Sequence, residues 1–117
     1  MEKTIIIDGK EVKLKNTAGF PLRYKAQFGR DFFVDMFKMK GLEKLKDKDP
    51  EDFTYEEIKQ MDYETFFNII WVLAKTADKT IGDPLSWFDE FEQFPMDEVI
   101  PQAQDMIMHT FNSTKKK

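Results

Sequence analysis

Apolar residues in the stretch 62–78, DYETFFNIIWVLAKTAD, fall on two helical stripes. Phe66, Ile70, Leu73 and Ala77 step by four, three and four; Phe67, Trp71 and Ala74 step by four and three. The stretch contains no Gly or Pro. Two adjacent stripes make a face too wide for an ordinary surface helix, so this segment is predicted to lie in the middle of the fold with other elements packed round it. At roughly 1.5–3 kcal/mol per fully buried large side chain, it would supply much of the burial energy.

Residues 3–15 alternate instead with a period of two, broken by Asp8-Gly9, a dipeptide suited to a two-residue hairpin turn. Pairing across that turn sets Ile7 opposite Lys10 and Ile5 opposite Val12. Ile5, Ile7, Val12 and Leu14 then share one face, while Thr4, Ile6, Glu11, Lys13 and Lys15 share the other. A lone hairpin is marginal, so its apolar face must rest on helices.

The remaining elements follow from punctuation. Asn16 or Thr17 is expected to cap a helix over 17–28, with Pro21 near its first turn, Phe20, Tyr24 and Phe28 as its inner stripe and Gly29 as its stop. A second helix is expected over 31–45, carrying Phe33, Met36 and Phe37 inward. Residues 44–52 read as a charged loop containing Pro50. Thr54-Tyr55-Glu56-Glu57 matches a capping box, and Asp62 is placed to cap the central helix, which is carried to about residue 79. Asp83-Pro84 restarts a short helix over 84–91, Pro95 breaks it, and Asp97 is expected to cap a last helix over 97–112 with Pro101 in its first turn. Val99, Ile100, Ala103, Met106, Ile107 and Phe111 form that helix's apolar stripe, and 113–117 read as a polar tail. The expected fold is α+β and mostly helical: one domain over 1–117, an N-terminal hairpin and then about five helices round the central one.

Composition narrows the chemistry. The 117 residues include no Cys and one His, which removes disulfides and thiolate sites and argues against a histidine-centred metal site. Net charge is −4 with the signs interspersed, unlike the basic face expected for nucleic acid. The longest apolar run, 69–74, is far short of the ~20 residues a membrane span needs. No signal-peptide pattern opens the chain, so it is expected to be cytoplasmic. Neither a glycine-rich phosphate loop nor a nucleophile elbow occurs. Asp89, Glu90, Glu92, Asp97 and Glu98 read as a solvated face, Arg30 as an ion pair with Asp31 at a helix junction, and His109 as a histidine without a nucleophile to serve. No catalytic residue, cofactor or small-molecule substrate is indicated.

Twelve Phe are rich for so short a chain, and some of that surface is expected to serve a partner rather than the core. Trp87, Phe88, Phe91 and Phe94 put four aromatics in eight residues, divided between core and lid on one side and a partner anchor on the other. Met106, Met108 and Phe111 are candidates to extend such a partner-binding surface, methionine being adaptable.

The order of features resembles the tail assembly chaperones of long-tailed phages, in the form found in phages and prophages of Gram-positive bacteria. The residues that carry the resemblance are Arg23-Tyr24-Lys25-Ala26-Gln27-Phe28-Gly29-Arg30-Asp31, the Ala-Lys-Thr-Ala-Asp ending of the central helix, and Trp87-Phe88-Asp89-Glu90-Phe91. The resemblance implies a non-enzymatic protein of the host cytoplasm. It would bind the tape measure protein, help recruit the major tail protein and be absent from the finished virion. It also implies room for self-association, and for a longer form made by frameshifting, for which the codons of residues 115–117 are a candidate slippery run. A reading of a different class is a small acidic phage adaptor or inhibitor that binds a host protein; that would require acidic side chains gathered on one surface, whereas lysines interleave with them here.

Overall fold

In a computed structural model the described residues are 1–38 and 63–115. The expected loop at 44–52, the capping box at 54–57, the Asp62 cap and the second helix beyond residue 38 lie outside them.

The first element is the hairpin. β1 (Glu2–Ile7) and β2 (Lys10–Lys15) pair antiparallel with Ile7 opposite Lys10 and Ile5 opposite Val12. Asp8 and Gly9 both take positive φ, 54° and 75°, as a turn matching the strands' twist demands. Ile5, Ile7, Val12 and Leu14 are buried and Ile6 faces out. The backbone of Ile6 is nevertheless occupied: its N–H donates to Gln102 Oε1 at 2.8 Å, and its carbonyl accepts from Gln102 Nε2 at 2.9 Å.

α1 (Phe20–Phe28) begins three residues later than the sequence suggests. Thr17 Oγ1 accepts from Gly19 N–H at 3.3 Å and the Thr17 carbonyl from Phe20 N–H at 3.1 Å, so 17–19 form a turn and Gly19 stands at the N-cap. Phe20 and Tyr24 are buried and Phe28 half-buried; Gly29 closes the helix at φ 67°.

α2 (Phe32–Lys38) is capped by Asp31, whose Oδ1 accepts from Val34 N–H at 3.1 Å. Asp31 is therefore committed to the helix start, and the expected Arg30–Asp31 pair gives way to another. Arg30 grips Asp35 through Nε at 2.9 Å and Nη2 at 3.0 Å, and reaches Glu64 at 3.2 Å. Asp35 also accepts from the Tyr24 hydroxyl at 2.7 Å. Burial first, then that bond to Asp35, pushes the Tyr24 hydroxyl pKa well above its ordinary value, so it stays a donor. The hydrogen bond to Asp35 likewise raises the already high pKa of Arg30. One carboxylate thus ties α1, the α1–α2 junction and α2 together, and Glu64 extends the tie to the next helix.

That helix, α3 (Tyr63–Ala77), is the predicted centre. Phe66, Ile69, Ile70, Trp71, Val72, Leu73 and Ala74 are all buried, so it is covered on nearly every side, against β2 and against α1. Its C-terminal carbonyls are taken by lysine heads: Lys79 Nζ donates to Thr76 O, and Lys75 Nζ folds over the following turn onto Lys79 O and Ile81 O. Trp71 Nε1 donates to Gly82 O at 3.1 Å and fixes that turn from beneath.

α4 (Pro84–Phe88) is shorter than the expected 84–91. α5 (Met96–Lys115) is longer than the expected 97–112 and absorbs residues 113–115 of the expected tail. The Pro95 carbonyl receives the N–H groups of Glu98 and Val99, so the helix opens at Pro95 rather than Asp97, and Pro101 falls in its second turn. Val99, Ile100, Ala103, Met106 and Ile107 are buried. α5 lies along β1, where Asp105 pairs with Lys3 at 2.9 Å. Partial burial would raise the Asp105 carboxyl, but Lys3 and the Met106 N–H outweigh it and hold the group below its usual range.

Candidate functional site

α4 is set by its neighbours. Pro84 pre-forms its first turn, the Gly82 carbonyl hangs on Trp71, and five residues leave room for one inward side chain. Trp87 takes that place, at 5% exposure. Leu85, two residues earlier and about 200° round the helix, points away and is 71% exposed.

Beyond Phe88 the chain leaves the α-helix through two tighter turns, Glu90 N–H to Trp87 O and Phe91 N–H to Phe88 O, both at 3.1 Å. The hairpin turn explains why. Lys10 Nζ takes the Glu90 carbonyl at 2.7 Å and lies 5.3 Å from the centre of the Phe91 ring, while Asp8 Oδ2 accepts from Glu92 N–H at 3.0 Å. Residues 90–92 are strapped to the tip of the hairpin and cannot continue a helix.

Five rings gather on this frame. Phe67, Phe88 and Phe94 form a closed triangle with centroid distances of 5.2, 4.8 and 5.4 Å, two of its sides edge-to-face. Trp87 packs under it, 4.9 Å from Phe88 and 5.1 Å from Phe91. Phe67, Phe88, Phe91 and Phe94 are half-buried: one side of each meets the core and the other meets solvent.

Of the seven residues expected to bind a partner, Phe88, Phe91 and Phe94 are brought together at the surface. Trp87 and Met106 are corrected to core. Trp87 is the inward residue of α4, and Met106 lies on the buried stripe of α5 three residues after Ala103, where no partner reaches it. Met108, about 200° round α5 from Met106, is half-buried. The side chain of Phe111 lies outside the described residues. Leu85 and Phe67 were missed. Leu85 is signalled by its offset of two from Trp87, which puts the two on opposite sides of α4. Phe67 is signalled by its place on the second stripe of the central helix.

Asp89, Glu90, Glu92, Asp97, Glu98 and His109 are all exposed. Among the described residues no three acidic or histidine side chains converge closely enough to hold a metal ion, and no helix is long and apolar enough to cross a membrane. What the surface offers is ring faces and an aliphatic side chain, rimmed by carboxylates. Compared with known protein families, curated proteins and solved structures, the chain shows no match to any of them.

Proposed function

We propose that this chain is a tail assembly chaperone of a long-tailed phage or prophage. In this reading it is a non-enzymatic protein of the host cytoplasm that binds the tape measure protein, helps recruit the major tail protein, and leaves before the virion is complete. One observation carries the reading. One of the two stretches that most specifically resemble that family, residues 87–91, builds the part of the surface where Phe88, Phe91 and Phe94 meet solvent beside an exposed Leu85. A chaperone for long, aggregation-prone helices needs apolar surface to lend and charge to stay in solution. The other stretch, residues 23–31, serves the fold, through Gly29 at the helix stop and Arg30 on Asp35.

Titration calorimetry with fragments of a candidate tape measure protein tests the proposal. Leu85→Asp is expected to weaken binding at least ten-fold while leaving the unfolding midpoint within error of wild type, because Leu85 buries little on folding. Unchanged binding by Leu85→Asp and by Phe88→Ser, with both variants folded, would refute it. Loss of binding with added salt, following Asp89→Asn and Glu92→Gln rather than Leu85→Asp, would favour the acidic-adaptor reading.

A further inference from the structure

The two edges of the hairpin are treated differently. In an antiparallel pair closed by a two-residue turn, Ile7 and Lys10 exchange hydrogen bonds, and so do Ile5 with Val12 and Lys3 with Leu14. The N–H and C=O of Ile6 therefore point outward from β1, and those of Glu11 and Lys13 point outward from β2. On β1 the Gln102 side chain answers both groups of Ile6. On β2 no described residue answers Glu11 or Lys13. Their side chains are exposed as well, and neither has an ion pair among the described residues. The other two charges of β2 are already engaged: Lys10 holds the Glu90 carbonyl and Lys15 lies 3.9 Å from Glu2.

A strand can complete such an edge on a second copy of itself only if its charges change sign symmetrically about a centre. β2 does so about Val12. Setting two β2 strands antiparallel with Val12 opposite Val12 puts each Glu11 opposite the partner's Lys13. The backbone agrees with the charges. Glu11 and Lys13 are the residues whose N–H and C=O point outward, so both Glu–Lys pairs exchange hydrogen bonds. Val12 falls in the non-bonded pair between them, where Cα atoms come within about 4.5 Å. A slip by one residue turns outward groups against inward ones. A slip by two keeps the backbone in phase but sets Glu11 against Glu11 in one direction and Lys13 against Lys13 in the other. On the core side, Val12 is the least sealed of the buried hairpin residues, at 8% exposure, and it borders an open groove of about 450 Å³ whose helix wall is Ala74 and Ala77. A valine arriving beside Val12 meets methyl groups there rather than long side chains.

We infer that β2 is the self-association edge of this protein: two copies pair through it about a two-fold axis at Val12, making a four-stranded sheet in the order β1–β2–β2–β1. Lys13 deters strands that bring no acid to meet it, as lysines on sheet edges do, and the partner's Glu11 meets it. A single short strand pair lies at the small, transient end of interface sizes, so the dimer is weak, with a dissociation constant of about 0.1 mM. This edge is distinct from the Leu85–Phe88 surface, and the inference does not rest on the tape-measure reading.

Sedimentation velocity and amide hydrogen exchange between about 0.01 and 1 mM protein test it. For that dissociation constant the wild-type chain should pass from mostly monomer to mostly dimer, with exchange at Glu11 and Lys13 slowing about four-fold. Leu85→Asp should associate as wild type does. Glu11→Lys alone and Lys13→Glu alone change exposed side chains and should each stay monomeric, whereas an equimolar mixture of the two should associate, because opposite charges again face each other across the axis. A wild-type chain monomeric at 1 mM, association that survives either single variant, or a mixture that fails to restore it would overturn the inference. So would association lost in Leu85→Asp and kept in Glu11→Lys, which would place self-association on the aromatic surface. Slowing at Glu11 and Lys13 only when the blocked strand peptide TVEVKVT is added to a monomeric wild-type chain would also overturn it, and would give the edge to another polypeptide.

Discussion

Replacing Asp35 by Ala should destabilise the fold by leaving Arg30 and the Tyr24 hydroxyl without their shared acceptor at the α1–α2 junction. Its carboxylate is 2% exposed and receives three short contacts, from the Tyr24 hydroxyl at 2.7 Å and from Arg30 at 2.9 and 3.0 Å. Removing one member of a buried charged pair costs about 3–5 kcal/mol. The Arg30 side chain retains 28% exposure and keeps Glu64, so water and that carboxylate recover part of the loss, leaving about 2–3 kcal/mol. Tyr24→Phe deletes one hydrogen bond and leaves Asp35 with Arg30, for about 1 kcal/mol. At about 4 °C per kcal/mol for a domain this size, the expected falls in melting temperature are about 8–12 °C and about 4 °C. Calorimetry and urea titration on the two variants and on Arg30→Met would measure them, and a double-mutant cycle would give the coupling. The pH dependence adds a further check. Because the folded pKa of Tyr24 is raised, its contribution is fully present below the unfolded value of about 10 and is lost as pH rises beyond it; Tyr24→Phe should remove that alkaline loss. Equal cost for Tyr24→Phe and Asp35→Ala, or an Asp35→Ala variant within about 0.5 kcal/mol of wild type, would refute the reasoning.

Three further outcomes follow from the structure. Gln102→Ala strips both partners from the Ile6 backbone and should cost about 1–2 kcal/mol, with faster exchange at the Ile6 amide as the specific sign. Trp87→Ala empties a core site and should cost about 3–5 kcal/mol by urea titration, so any loss of partner binding in that variant must be separated from unfolding. Asp105 has a depressed folded pKa, so its contribution is present above the unfolded value of about 3.9 and is lost as pH falls through the folded one; because the carboxylate is 64% exposed, screening limits it to under about 1 kcal/mol, and Lys3→Gln should flatten the acid limb of a stability-versus-pH curve by no more than that.

The elements that could be read from sequence were those whose instructions are local and mutually consistent. Asp8-Gly9 and the alternation on either side of it specify one register, and the residues 69–74 are too uniformly apolar to be anything but interior. Met106 was legible as core too, since it continues the stripe through Val99 and Ala103; its attraction as an adaptable surface residue lost to position. Other features depended on competition in three dimensions. Arg30 had two carboxylates within reach along the chain, and the choice fell to Asp35 because Asp31 was already capping α2. The early end of α4 was decided by Lys10 and Asp8, some eighty residues away, pulling on the backbone of 90–92. Which of four neighbouring aromatics would be sealed was likewise hidden, because a five-residue helix has too few turns for a period to declare itself.

The bond from Ile6 to Gln102 spans 96 residues of chain. At ~5–20 residues per second of translation, β1 waits roughly 5–20 s after it is made before the side chain that closes its edge has even been synthesised. During that interval the nascent hairpin is bare along both sides, and the ribosome-bound intermediate is the form most open to mispairing. α5 therefore acts as a clasp that cannot fasten until those 96 further residues have been made, and the speed at which they are produced sets how long the newborn hairpin stays exposed.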